Sequence, residues 1–175
     1  MKKLAVVLII IVCVIAAWWV RRLLVKEPEV APVPESALET KSVTLYFGSR
    51  DGQSLVPESR DLRARDDVIG DLRVVVEALI GGPQEKGVPT LPSGTRLMGV
   101  YIHEKTAYLD FSREIVDPST GGTSGEYIMI SSIVNTVCSN FESVDAVSIL
   151  VEGKEVDSLG GHLLLSSPLR PEDWR

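Results

Sequence analysis

The sequence predicts an α+β domain, with a small, mostly antiparallel sheet and two helices, preceded by one N-terminal transmembrane helix. Three observations predict it. Residues 4–20 form an apolar run without a charge. Two later stretches, within 66–80 and 123–141, carry apolar residues at helical spacing. Short β-branched or alternating runs lie at 43–47, 96–102, 106–112 and 146–151, separated by glycine, proline and charged turns.

The apolar run is bracketed by Lys2-Lys3 and Arg21-Arg22. Seventeen helical residues span roughly 25 Å, near the lower limit for crossing a bilayer. Leu23, Leu24 and Val25 extend the span if the two arginines snorkel toward headgroups. Trp18 and Trp19 sit where indoles favour the membrane interface. A cleaved signal peptide competes with this reading, but Ala16-Ala17 runs into two tryptophans and two arginines, a poor cleavage site. Lipid modification at Cys13 is a third reading. The preceding Ile10-Ile11-Val12 lacks the small residue that such processing needs, so Cys13 reads as an apolar helix residue. Basic residues flank both ends and orient the segment weakly. The expectation is a single-pass protein of the cytoplasmic membrane, residues 1–25 being the anchor and the bulk lying on the extracytoplasmic side.

Beyond the anchor the balance is acidic. Five of the eighteen basic residues precede Glu27, the first acid, so the remainder carries thirteen Lys and Arg against twenty-four Asp and Glu, a net of −11. Such a surface argues against nucleic acid or anionic lipid as a partner. Cys138 is the only cysteine after the anchor, which excludes an internal disulfide or paired-cysteine metal site. It reads as a small buried hydrophobe.

Residues 26–41, KEPEVAPVPESALETK, cannot build a core and read as an extended linker. Residues 42–169 hold about 130 residues, enough for one domain. Residues 43–47 form the first strand, ended by Gly48. Residues 55–65, with Pro57, read as an edge-like extended segment. Asp66-Asp67 then opens a helix whose stripe includes Val68, Leu72, Val75, Val76 and Leu79, and Gly81-Gly82-Pro83 ends it. After a turn-rich loop, residues 96–102 and 106–112 form a hairpin around Glu104-Lys105. Met98, Val100 and Ile102 are expected on one face, paired with Ala107, Leu109 and Phe111 on the partner strand. Thr123-Ser124-Gly125-Glu126 fits a capping box that opens a second helix, with Tyr127, Ile130, Ile133, Val134, Val137, Cys138 and Phe141 on its stripe. A strand at 146–151 follows, then a turn at Gly153-Lys154 and a last short segment at 162–165. The tail, 170–175, is expected to fray unless Trp174 docks.

No chemistry announces itself. Serine, histidine and acid are present, but no G-x-S-x-G elbow exists, since the serine of Gly122-Thr123-Ser124-Gly125 has the wrong spacing. A Ser-His-Asp arrangement would have to be assembled in space from Asp110, Ser112 and His162. His103 and His162 lack a second ligand at metal spacing, and Asp66-Asp67 reads as a helix cap. The acids lack an aromatic-rich setting for glycosidase work, and the glycine clusters fit no phosphate loop. The sequence therefore assigns no catalytic residue, no cofactor and no metal.

Several runs together resemble the GerMN domain family, named for a protein of spore germination and sporulation. They are Glu77-Ala78-Leu79-Ile80-Gly81-Gly82-Pro83, Leu91-Pro92-Ser93-Gly94-Thr95, Leu97-Met98-Gly99-Val100 and Ala107-Tyr108-Leu109-Asp110-Phe111-Ser112. Further along come Ser132-Ile133-Val134-Asn135-Thr136, Ile149-Leu150-Val151-Glu152-Gly153 and Leu159-Gly160-Gly161-His162. Their order covers nearly all of residues 43–169. The resemblance implies helices packed on one face of a small sheet, as in ring-building domains of sporulation secretion assemblies. It also implies an extracytoplasmic bacterial protein without established catalytic residues. The chain differs from the namesake in having one such domain rather than two, and an apparent anchor in place of a lipobox. The expected function is non-catalytic: binding of envelope proteins or peptidoglycan, with homo-oligomerisation as an extension, in sporulation, germination or envelope assembly. The competing expectation is a cell-wall hydrolase or accessory enzyme using Asp110, Ser112 and His162.

Overall fold

The computed structural model of the chain describes residues 15, 16, 18, 19, 39–116 and 122–174. The chain divides into two units, Met1–Ala37 and Leu38–Arg175. In the first, the four described residues are helical and exposed. The expected anchor otherwise lies outside the described residues, as does the linker before residue 39. Among the described residues no helix is long and apolar enough to cross a membrane.

The second unit is α+β. Its strands are β1 (Thr40–Gly48), β2 (Leu55–Arg63), β3 (Leu97–His103), β4 (Thr106–Phe111), β5 (Ala146–Val151) and β6 (Lys154–Glu155). Its helices are α1 (Val68–Ile80) and α2 (Gly122–Asn140). The strands form two sheets, not the one small sheet expected: an antiparallel pair β1-β2 and a four-stranded sheet ordered β3-β4-β5-β6. In the second sheet β4 and β5 run parallel, with Leu109 opposite Ile149. The reason is the connection. The chain leaves β4, travels the length of α2 and returns alongside, which is the crossover that parallel pairing requires.

Val43, Leu45 and Phe47 of β1, Ala107, Leu109 and Phe111 of β4, and Val147, Ile149 and Val151 of β5 are buried with period two. α1 adds Leu72, Val75, Val76 and Leu79. The two helices touch each other and strands of both sheets. Asp67 caps α1 as its spacing predicts, its carboxylate accepting from the Gly70 N–H at 2.7 Å. At the other end the left-handed residue is Gly82, at φ +83°, rather than Gly81, which stays helical.

Among the described residues the free edge of β1 has no strand partner, and α2 covers it with polar side chains one turn apart. The Thr44 N–H donates to Asn140 Oδ1 at 2.9 Å, and Asn140 Nδ2 donates back to the Thr44 carbonyl at 2.7 Å. The Tyr46 N–H donates to Thr136 Oγ1 at 3.0 Å, and Ser132 Oγ donates to the Tyr46 carbonyl at 2.6 Å. Gly48 exchanges backbone bonds with Val88. The edge is thereby satisfied from Thr44 to Gly48, which removes that half of the strand as a template for pairing with other chains.

Three expectations need correction. Met98 does not share a face with Val100. A bulge between Leu97 and Gly99 turns it outward, leaving it 56% exposed. Thr123 and Glu126 do not form a capping box, because the Glu126 side chain is fully buried and bonded elsewhere. The tail docks: Leu169 bridges to Val147, and Trp174 is buried against Tyr127, ring centroids 5.5 Å apart.

Candidate binding groove

Two buried carboxylates organise the loops around the helices. Glu126 Oε1 accepts from Ser158 Oγ at 2.8 Å, the Leu159 N–H at 2.9 Å and the Gly160 N–H at 2.8 Å, while Oε2 accepts from the His162 N–H at 3.0 Å. Burial alone would raise its pKa. The bonds from Gly160, Ser158, His162 and Leu159 outweigh burial and hold the carboxyl below its ordinary value. A Cβ on Gly160 would stand 3.1 Å from Glu126 Oε2, so glycine allows the loop to approach this closely.

Glu58 on β2 behaves alike. Its carboxylate accepts from the backbone N–H groups of Gln84 and Glu85 at 3.0 Å and pairs with the Arg60 guanidinium. Burial opposes ionisation, and the hydrogen bonds from Arg60, Glu85 and Gln84 with the Arg60 charge reverse it, again giving a lowered pKa. Arg60 also donates to the carbonyls of Ala78 at 3.3 Å and Gly82 at 3.1 Å, a cation placed at the C-terminal end of α1. Both carboxylates are thus held ionised with their lone pairs engaged, a poor state for a general acid or base.

The residues weighed for catalysis have separate partners. Asp110 Oδ1 accepts from the Gly153 N–H at 2.8 Å, fixing the β5-β6 turn. Ser112 is buried, and its Oγ accepts from the Arg96 N–H at 3.0 Å. The Ser112 hydroxyl is also the main cause of a lowered pKa at Glu114. His162 exposes its ring and contributes its backbone N–H to Glu126. No hydrogen bond joins any two of the three among the described residues. His103 is exposed beside Glu104, at 3.9 Å. No group of three or more potential metal ligands occurs among the described residues.

A groove runs between the β1-β2 hairpin tip and the N-terminal half of α2. It has three lobes of about 390, 350 and 270 Å³. Ile128 lines all three; Ser124 and Gly52 are shared by the first two, Gln53 and Tyr127 by the last two, so the lobes adjoin one another. The hairpin tip is shaped locally: Asp51 Oδ1 accepts from Ser49 Oγ at 2.5 Å and from the Gln53 N–H at 3.2 Å, an Asx-type turn. Those two bonds, Ser49 first, hold the Asp51 carboxyl below its usual value. The 270 Å³ lobe is walled by Tyr46, Tyr127, Asn135 and Trp174. Asn135 Nδ2 donates to the carbonyls of Ser131 at 2.8 Å and Trp174 at 2.9 Å, which locks the docked tail over this lobe. Sequence reasoning missed the groove. Its one visible signal was the Ser131-Ser132 pair inside the otherwise apolar stretch 127–134.

A profile of the Germane family, described as sporulation and spore germination, matches residues 44–157. The chain belongs to this family. Among solved structures, a Clostridium perfringens protein named a candidate lipoprotein is 29% identical, with a TM-score of 0.56, over 78% of this chain and 91% of that one. The first GerMN domain of the sporulation protein GerM from Bacillus subtilis shares the fold at 24% identity and a TM-score of 0.64, over 77% of this chain and all of that domain. The tandem GerMN domains of the same protein match at 22% identity and a TM-score of 0.58, and this Germane chain spans 48% of their length. A search of curated proteins finds none that matches.

Proposed function

We propose that this Germane protein is a membrane-held, extracytoplasmic binding domain of the bacterial envelope, acting without catalysis in sporulation, germination or envelope assembly. The observation that carries this reading is the fate of its carboxylates. Glu58 and Glu126 are spent on loop backbones, and Asp110 on a turn. What the domain offers a partner is a row of adjoining lobes lined mainly by uncharged side chains. The apolar run at residues 4–20 and the relative named a candidate lipoprotein both favour attachment to a membrane. An envelope protein or peptidoglycan is the partner in this reading.

The test is fractionation of the full-length protein with protease added outside spheroplasts. The proposal expects the chain in the membrane pellet and residues 39–174 removed by external protease. A freely soluble product, or a domain shielded from that protease, overturns it.

A further inference from the structure

We infer that the groove beside α2 is a binding site for a neutral glycan strand, with the 270 Å³ lobe under Trp174 receiving one sugar ring. The inference deepens the binding-domain reading and rests on it. Three observations carry it. Ser131 lines that lobe, is 2% exposed, and its Oγ has no hydrogen-bond partner. An orphaned buried hydroxyl is costly unless a ligand completes it.

Charge narrows the ligand. Among the described residues lining the three lobes there is no lysine or arginine, and the one carboxylate, Asp51, is occupied by Ser49 and Gln53. An anionic ligand would find no counter-charge, and a cation no free acid. A neutral ligand remains. The lobe joins aromatic walls (Tyr46, Tyr127, Trp174) to the Gln53 amide and the Ser131 hydroxyl. That mixture suits a pyranose ring, whose C–H faces pack on aromatic surfaces while its hydroxyl and acetamido groups need hydrogen-bond partners.

Shape and backbone separate a glycan from an extended peptide. A volume of 270 Å³ falls below the ~300 Å³ lower bound of drug-sized pockets, room for one ring and a substituent, and the second lobe adjoins it across Gln53, Tyr127 and Ile128. A peptide would gain most of its affinity by adding a strand to a free sheet edge. The β1 edge at this groove is already closed by Asn140, Thr136, Ser132 and Val88.

The experiment is calorimetric titration of the full-length protein, in a zwitterionic detergent without sugar groups, with chitotetraose and separately with tetra-alanine, each to about 10 mM. Chitotetraose is expected to bind and tetra-alanine not to. Ser131→Ala should weaken chitotetraose about threefold or more while leaving the unliganded melting temperature unchanged or higher, because the hydroxyl has no partner to lose. Gln53→Ala, on the exposed tip, should weaken it without touching stability. No binding of chitotetraose, equal affinity in both variants, or binding of tetra-alanine in its place overturns the inference. A chain that fractionates with membrane and is reached by external protease, yet ignores the sugar, refutes this inference alone. A soluble chain that binds the sugar refutes the membrane reading alone.

Discussion

Replacing Glu126 by glutamine tests the claim that this carboxylate is a structural latch. Three donors converge on Oε1 and one on Oε2. Glutamine can keep its carbonyl oxygen at the first position. Its NH₂ then faces the His162 N–H, donor against donor, and the other three bonds lose their charge assistance. Hydrogen bonds to charged groups contribute about 1.5–3 kcal/mol each, and roughly half of that without the charge. The bonds are not additive, and the loop can partly open to water, so the expected loss is about 2–3 kcal/mol. Glu126→Ala, which orphans all four donors, should approach 4–5 kcal/mol. Urea unfolding gives the stability, and hydrogen exchange locates it. The amides of Leu159, Gly160 and His162 should lose protection first, before those of β4 and β5. A glutamine variant within 0.5 kcal/mol of the parent, with those amides still protected, would refute the latch.

The pH dependence has a definite sign. Glu126 and Glu58 both have folded pKa values below the ordinary 4.5. Their stabilisation is therefore fully present above about pH 4.5 and is lost as pH falls through the lowered folded values. Acid titration of stability should show this limb, and Glu126→Gln should flatten it. Thr136→Val leaves the Tyr46 N–H without its partner and should cost about 1–3 kcal/mol by urea unfolding. Glu104 and Lys105 turn the β3-β4 hairpin at φ +45° and +63°, so Glu104→Asn with Lys105→Gly should raise stability by about 0.5–1 kcal/mol in the same assay. Burial, then Asp145 and Glu172, push the Cys138 thiol up to about 11. At pH 8 it should alkylate roughly a hundredfold more slowly than in the denatured chain, read by peptide mass, and equal rates would contradict the packing.

Local rules read well wherever the chain answers to its own neighbours. The Asp67 cap, the hairpin turn at Glu104-Lys105 and the strand at Ala146–Val151 stand where period and turn chemistry place them. The rest depends on partners far along the chain. Glu126 has the spacing of a capping box, but a loop more than thirty residues away supplies four donors and wins the carboxylate. Helix α2 reads as a one-faced stripe, yet Met129 to Val134 is buried without a break. Its polar residues are inside because β1 has an edge to satisfy, and Ser132, Thr136 and Asn140 at intervals of four are the trace of that role. Met98 continues the alternation in sequence, and only the bulge against β4 takes it out of register. The site was the least legible part. A groove made by a hairpin tip, a helix and a docked tail leaves no motif in any one segment.

The central claim is that the groove, and not the surface around Asp110, Ser112 and His162, is where this protein meets its partner. A photo-crosslinking residue placed in turn at Gln53, at Met98 and at the exposed Arg113 beside Ser112, in the full-length protein in its own cells, tests it most directly. The account predicts a crosslinked product from Gln53 and none from the other two. Adducts at Arg113 or Met98, with Gln53 silent, would contradict it.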